Sequence, residues 1–158
     1  MNPPYLFDSS SIRVLSNYYA ERFPSFWQRF DEAVADGRVL SVREVYNELG
    51  FQLSGKWIWS WIESHKQMFL PPTSAEAEFV GEIFAVEHFR ALVGELQRLK
   101  GRPVADPFVI ASARLRGGCV VTEEANKPNA AKIPNVCEHF GIHWTNVEGF
   151  LNQVGWTF

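Results

Sequence analysis

Four acidic residues are placed where their carboxylates could share one metal ion. They are well separated along the chain, and each lies in or beside an apolar segment: Asp8, Glu48, Asp106 and Glu124. Two carboxylates about 4 Å apart repel each other by roughly 4 kcal/mol at an effective dielectric constant of about 20. A cluster of carboxylates is therefore tolerated only when protons or a cation neutralise it. Because all the donors are oxygen atoms, we expect Mg²⁺ or Mn²⁺.

Two of these positions have a neighbouring acid that could replace them. Glu44 lies one helical turn before Glu48 and shares its face of the predicted helix. Glu123 directly precedes Glu124 and could be the ligand in its place. The sequence leaves both choices open.

The remaining two acids, Asp8 and Asp106, lie at predicted helix starts, and hydroxyl residues lie near the predicted site. Ser10 and Thr122 could orient carboxylates or metal-bound water through hydrogen bonds. Asp8 and Asp106 could instead serve as helix N-caps, a role in which Asn or Ser would be equally good.

The elements that must position these residues alternate between strand and helix at both ends of the chain. Apolar runs predict strands at Tyr5–Phe7, Val39–Ser41, Cys119–Thr122 and Gly141–Trp144. The helix before Cys119 should end at Gly117-Gly118. This order predicts an α/β domain with a mainly parallel sheet, in which the strand C-termini, and with them the four acids, meet at one edge.

The middle of the chain reads differently, because helical patterns follow one another there without strands. One helix is predicted over Trp57–Phe69, and Thr73-Ser74-Ala75-Glu76 is a capping-box pattern that opens another. We therefore expect residues 1–158 to form a single domain with a helical insertion or lid over roughly residues 51–100. This segment contains Trp57, Trp59 and Trp61. Their rings could belong to the core, stack on RNA bases or form a groove that binds a protein.

Composition excludes several classes of protein. Hydrophobic residues make up 46% of the 158 residues, which is globular rather than disordered. The 15 basic and 18 acidic residues give a net charge of −3, so a nonspecific DNA-coating protein is excluded. No apolar run reaches the length of a membrane span, and the first residues lack an export signal. With two separated cysteines, this predicts a cytoplasmic protein without a membrane partner.

Four motifs across residues 5–124 resemble those of the PIN-domain nucleases, whose small members include the VapC-type toxin ribonucleases. The family places an acid after its first strand, a Glu-Leu in a helix, an acid at the start of an alanine-rich helix, and a strand that closes in Thr-x-Asp. The matching segments here are Tyr5-Leu6-Phe7-Asp8-Ser9-Ser10, Val45-Tyr46-Asn47-Glu48-Leu49, Asp106-Pro107-Phe108-Val109-Ile110-Ala111-Ser112-Ala113 and Val120-Val121-Thr122-Glu123-Glu124. Glu124 stands where the family usually has Asp or Asn. The chain is also similar to a PIN-like subfamily catalogued as a domain of unknown function.

The resemblance implies a three-layer α/β/α domain and a metal-dependent ribonuclease. Asp8, Glu48, Asp106 and Glu124 would hold one or two Mg²⁺ or Mn²⁺ ions, and metal-activated water would attack RNA. The resemblance also implies that the protein is a toxin, that a cognate antitoxin protein binds it, and that it forms a homodimer. Cations near the predicted site could contact RNA phosphates: Arg114, Arg116, Lys127 and Lys132. The alternative is a noncatalytic PIN-like module that binds a protein.

Overall fold

Strands and helices alternate along much of the chain. The computed structural model describes residues 2–93 and 104–158. Its strands are β1 Tyr5–Phe7, β2 Val39–Val42, β3 Phe69–Leu70, β4 Cys119–Val121 and β5 His143–Thr145. Its α-helices are α1 Ser9–Leu15, α2 Pro24–Ala35, α3 Arg43–Leu53, α4 Ile58–Ser64, α5 Ser74–Ala85, α6 Asp106–Arg116, α7 Ile133–Phe140 and α8 Val147–Val154. Short 3₁₀ helices span Lys66–Met68 and Glu87–Leu92.

The five strands form one parallel sheet in the order β3-β2-β1-β4-β5. Tyr5 is in register with Val39 of β2 on one side and with Cys119 of β4 on the other. The first strand of the chain is therefore the centre of the sheet. The sheet and its helices form the three-layer α/β/α arrangement of a PIN-like domain, which confirms the predicted fold class.

The apolar runs become strands because helices cover the sheet. Leu6, Phe7, Val120 and Val121 are fully buried, as expected for central strands of a parallel sheet. Phe7 also contacts the ring of Phe30 from α2, at 5.4 Å between centroids. The core therefore lies on the two strands that lead to Asp8 and Glu124.

Two glycines make the turn from α6 into β4, as the sequence predicted. Gly117 ends α6 in the left-handed region with φ of +63°. A Cβ atom on Gly118 would lie only 2.5 Å from the backbone oxygen of Pro4. That oxygen accepts the N–H of Cys119 at 3.0 Å, so close approach at Gly118 lets β4 pair with β1.

The prediction of one helix over Trp57–Phe69 is wrong. Helix α4 ends at Ser64, where the Ser64 hydroxyl donates to the carbonyl of Trp61 and the ring Nδ1 of His65 lies 2.7 Å from the same oxygen. Such side chains compete with the helical backbone bonds. After a 3₁₀ turn, Phe69–Leu70 forms β3 beside β2, and Pro71 favours an extended residue before it.

The neighbouring helix boundaries also differ from the sequence pattern. The apolar repeat Val42, Val45, Tyr46 and Leu49 predicts a helix that ends at Gly50, but α3 continues through Gly50, which lies beside the ring of Trp59. Helix α5 has the predicted capping box at Thr73 and Glu76 but ends at Ala85, before a 3₁₀ helix. The sequence pattern also allows this helix to run towards Arg90 or, with bends, towards Lys100, and residues 94–103 lie outside the described part of the chain.

The three clustered tryptophans are partly buried against the core. Trp57 and Trp61 both contact the ring of Trp27, at 5.5 and 5.1 Å between centroids. Trp59 lies against Tyr46 instead. The fully buried residues of α4 are Ile58 and Ile62, between the rings. In the part of the chain that the structure describes, no helix has both the length and the apolar character needed to cross a bilayer.

Candidate functional site

The site lies where the order of the strands reverses. The chain builds β1, β2 and β3 towards one edge of the sheet and then returns to add β4 and β5 on the other side of β1. Such a switch point leaves a crevice beyond the C-termini of the two central strands, where ligands of α/β proteins usually bind. Asp8 follows β1 at this point, and Thr122 follows β4.

Asp8 is buried and surrounded by hydrogen-bond donors. Its Oδ1 accepts the backbone N–H of Ser11 at 2.8 Å, which makes Asp8 the N-cap of α1. The Ser10 hydroxyl lies 2.8 Å from each carboxylate oxygen, and the Thr122 hydroxyl donates to Oδ2 at 2.5 Å. Ser10 and Thr122, predicted to orient the acids, thus both bond to Asp8.

The backbone fixes the direction of these hydroxyl bonds. The N–H of Glu123 donates to the Ser10 hydroxyl at 2.9 Å, and the N–H of Glu124 donates to the Thr122 hydroxyl at 3.1 Å. Each hydroxyl accepts from the backbone, so its own single proton is left to donate to Asp8. Donors on both oxygens favour the ionised carboxylate, which has the larger number of acceptor sites.

Burial works against that ionised form. Loss of solvent raises the pKa of Asp8 from 3.8 to about 6, although the hydrogen bonds from Thr122, Ser11 and Ser10 lower it. A neighbouring cation would relieve the cost that burial imposes on the charge.

Asp106 is the first residue of α6, and its side chain caps no backbone N–H. The suggestion of an N-cap at Asp106 is therefore wrong, because Ala105 occupies the cap position. Burial raises the pKa of Asp106 well above 3.8, and the charges of Glu124, Asp8 and Glu48 raise it further. Lys132 lowers it. The other three acids therefore all lie close enough to Asp106 to repel its charge.

Of the two acids on α3, Glu48 is the one that lines the cleft. Glu44 is buried and pairs with its neighbour Arg43 at 3.2 Å. Glu48 instead lies 3.4 Å from the amide nitrogen of Gln52, one turn further along the helix.

Of the two acids after β4, Glu124 lines the cleft. Its Oε2 accepts the N–H of Ile133, the first residue of α7, at 2.9 Å. Glu123 is exposed and accepts the N–H of Val147 at the start of α8. The two acids thus attach the loop after β4 to different helices.

The four predicted acids share one cleft of about 330 Å³. Its polar lining is completed by Ser9, Ser10, Arg13, Gln52 and Lys132. The acids line this space without converging on one point. Within residues 2–93 and 104–158, no three Asp, Glu, His or Cys side chains are close enough to surround a metal ion directly.

Only one of the four predicted RNA-contacting cations lines the cleft, and it is Lys132. Arg114 donates to the carbonyl of Phe140. Arg116, at the far end of α6 from Asp106, contacts Ser112 and Glu76. Lys127 is exposed on the loop after β4.

Sequence reasoning missed three polar residues of the cleft, Ser9, Arg13 and Gln52. Arg13 donates to the side-chain oxygen of Gln52 at 2.8 Å and so joins α1 to α3. Ser9 is buried beside Asp8, one helical turn before Arg13. The available signal was spacing: Ser9 and Arg13 are four residues apart, as are Glu48 and Gln52, so each pair lies on one helix face.

Comparison with known proteins supports the fold and gives the family. Among solved structures, the crystal structure of PAE2754 from Pyrobaculum aerophilum has a TM-score of 0.54 and 18% identity, over 98% of each chain. The crystal structure of VapBC2 from Rickettsia felis, bound to a DNA fragment from their promoter, has a TM-score of 0.48 and 12% identity, over 90% of this chain and 97% of that one. No curated protein matches the chain significantly. The model of the family described as "Domain of unknown function (DUF4411)" matches residues 5–158, and the chain therefore belongs to that family.

Proposed function

We propose that this protein is a metal-dependent ribonuclease. The observation that carries the proposal is the shared cleft at the switch point of the sheet, which is lined by four acids from separate parts of the chain: Asp8, Glu48, Asp106 and Glu124. The motifs around these acids resemble those of PIN-domain nucleases, which supports RNA as the substrate.

The donors of the cleft fit Mg²⁺ or Mn²⁺. All four are carboxylates, the oxygen ligands that these ions prefer. Mg²⁺ usually keeps several water ligands and takes only one or two carboxylates directly. Acids that line a cleft without converging on one point suit such a partly hydrated ion. When bound, the ion would lower the pKa of a water molecule and offset negative charge on the phosphate under attack.

The protein's own groups prepare the cleft for that charge. Ser10, Thr122 and the N–H of Ser11 hold Asp8 as an ionised carboxylate of fixed orientation. Asp106 stands among three other acids, so its raised pKa falls when a cation enters. Lys132 supplies part of that positive charge from the rim of the cleft.

We further propose that the protein is the toxin of a toxin–antitoxin pair. The motif resemblance to VapC-type toxins supports this role, an inhibiting antitoxin protein as partner, and a homodimer. The two cysteines, Cys119 and Cys137, are unpaired, which suits a reducing cytoplasm.

The test is cleavage of RNA by the purified protein in Mn²⁺, with wild type beside Asp8→Asn and Asp106→Asn. Wild type should cleave, whereas both variants should lose activity by orders of magnitude. Inducible expression in a bacterial host should arrest growth with wild type and not with Asp8→Asn. Equal cleavage by folded wild type and both variants would show that the activity does not come from this cleft.

The second candidate function is a noncatalytic PIN-like module that binds a protein partner. Glu124 favours it, because one of its carboxylate oxygens is already held by the N–H of Ile133 and can be purely structural. Titration of Mn²⁺ against the metal-free protein separates the candidates. A module would show neither metal binding nor cleavage.

A further inference from the structure

Ser9 has a polar group that the fold leaves unused. Its side chain is buried, with 4% of its surface exposed, and it lies beside Asp8 in the lining of the cleft. Within the described residues, its hydroxyl has no hydrogen-bond partner. Leaving such a group unpaired costs free energy, so a ligand that pairs with it gains that free energy on binding. Because the hydroxyl oxygen itself is buried, it meets a ligand only after rotating towards the cleft, and that rotation would break no hydrogen bond.

Arg13 follows Ser9 by one turn and lines the same cleft. Its guanidinium donates one hydrogen bond, at 2.8 Å, to the uncharged side chain of Gln52. In the part of the chain that the structure describes, Arg13 forms no ion pair with a carboxylate. Its charge and its remaining N–H donors are therefore available, while Gln52 holds the side chain at the rim.

We propose that Arg13 and Ser9 form a subsite for a phosphate group of the RNA, next to the phosphate that is cut. This inference rests on the proposed function and adds the residues that hold the substrate. RNA carries a negative charge on every phosphate and must approach a cleft that has four acids. A guanidinium fits phosphate through two parallel N–H···O bonds, and the serine hydroxyl adds a third donor. Both side chains come from one face of α1 and line the same cleft, so one phosphate can reach both.

RNA binding can be measured without cleavage. The probe is a short, fluorescently labelled single-stranded RNA, and the background is Asp106→Asn in Mg²⁺, with fluorescence anisotropy as the readout. Adding Arg13→Gln should weaken binding about tenfold, the expected loss of a charge-assisted phosphate contact. The matched control is Arg38→Gln, which also removes one positive charge. Arg38 directly precedes β2, at the N-terminal ends of the strands and so away from the cleft, and it pairs with exposed Asp36. Equal weakening by the two variants would show a general charge effect and overturn the subsite.

Ser9→Ala separates a binding role from a structural one. Because the hydroxyl has no partner in the protein, its removal should leave the melting temperature unchanged or raised. RNA binding should nevertheless weaken severalfold. A lowered melting temperature with unchanged RNA binding would show that Ser9 is structural and would remove it from the subsite.

Kinetics distinguish failure of this inference from failure of the proposed function. In an active wild-type background, Arg13→Gln should raise KM about tenfold and leave kcat largely unchanged, as expected for a contact made equally in the ground and transition states. Cleavage with an unchanged KM would overturn the subsite and leave the nuclease standing. Arg13-dependent RNA binding without cleavage in any divalent metal would overturn the nuclease and leave the subsite standing.

Discussion

Thr122 connects the two central strands through a single hydroxyl. That hydroxyl donates to Asp8 and accepts the N–H of Glu124, so it serves two buried partners at once. Thr122→Val keeps the shape of the side chain, removes one of the hydrogen bonds to Asp8 and takes the hydroxyl acceptor from the N–H of Glu124. We expect the free energy of unfolding to fall by about 1–3 kcal/mol, measured by urea denaturation.

Thr122→Ser is the matched control, because it keeps the hydroxyl and loses only a methyl group. It should retain most of the stability that Thr122→Val loses. If the two variants were equally destabilised, packing of the methyl group would be the main role of Thr122.

The raised pKa of Asp106 predicts how the metal-free protein responds to pH. The folded state binds the Asp106 proton more tightly than the unfolded chain, whose pKa is near 3.8. The unfolded chain therefore loses this proton first as pH rises, and folding stability falls until the folded carboxyl has ionised as well. Asp106→Asn cannot ionise and removes no cap, so it should melt no lower than wild type.

Melting curves in EDTA between about pH 5 and about pH 8 check this prediction. The melting temperature of wild type should fall more over this interval than that of Asp106→Asn, and the variant should gain less from Mn²⁺. Identical profiles for the two proteins would show that Asp106 does not experience the repulsion that its surroundings imply.

At the scale of elements, the sequence predicted those features that depend only on residues close together in the chain. The left-handed turn at Gly117, the capping box at Thr73 and the buried strand Cys119–Val121 all follow from short-range patterns. The strand Phe69–Leu70 could not be predicted in this way, because two residues become a strand only where β2 offers an open edge. The sequence singled out the four acids that line the cleft from their residue type, from their places in or beside apolar segments and from the motif resemblance.

The remaining residues of the cleft depend on how two helices meet. Arg13 and Gln52 are ordinary exposed residues of α1 and α3 until the packing of those helices brings them together. Glu48 and Glu44 share a helix, and only the position of α3 against α1 decides which of them lines the cleft. Local periodicity holds no information on that packing.

At Gly118, in the turn after α6, the fold has no room for a side chain. In Gly118→Ala, the new Cβ would lie 2.5 Å from the backbone oxygen of Pro4, and a backbone atom cannot move aside cheaply. We expect a loss of about 1–3 kcal/mol in the free energy of unfolding, measured by denaturant titration.

Gly55→Ala provides the comparison, because a Cβ there would meet nothing within 4 Å. It should change stability little. A harmless Gly118→Ala would mean that β4 can shift away from Pro4 without losing its pairing with β1.

At the scale of the whole molecule, a metal that binds only the folded protein must stabilise all of it. At ten times its dissociation constant, Mn²⁺ or Mg²⁺ would add about 1.4 kcal/mol and raise the melting temperature. Asp8→Asn should remove most of that rise, because Asp8 is one of the four acids that would hold the ion.

Asp36→Asn is the control for loss of an acid elsewhere. Asp36 is exposed after α2 and pairs only with exposed Arg38 among the described residues, so the rise should be kept. An unchanged rise in Asp8→Asn would place the metal outside the cleft.

The central position of β1 has a consequence for the newly made chain. β1 leaves the ribosome first, but the Thr122 partner of Asp8 is 114 residues later in the chain. At typical rates of synthesis, that delay is on the order of ten seconds. During this time Asp8 and Glu48 exist without Asp106 and Glu124, and one side of β1 has no neighbouring strand. Under the proposed function, the protein therefore cannot cut RNA until the ribosome has translated the codons for β4 and for the acid that follows it.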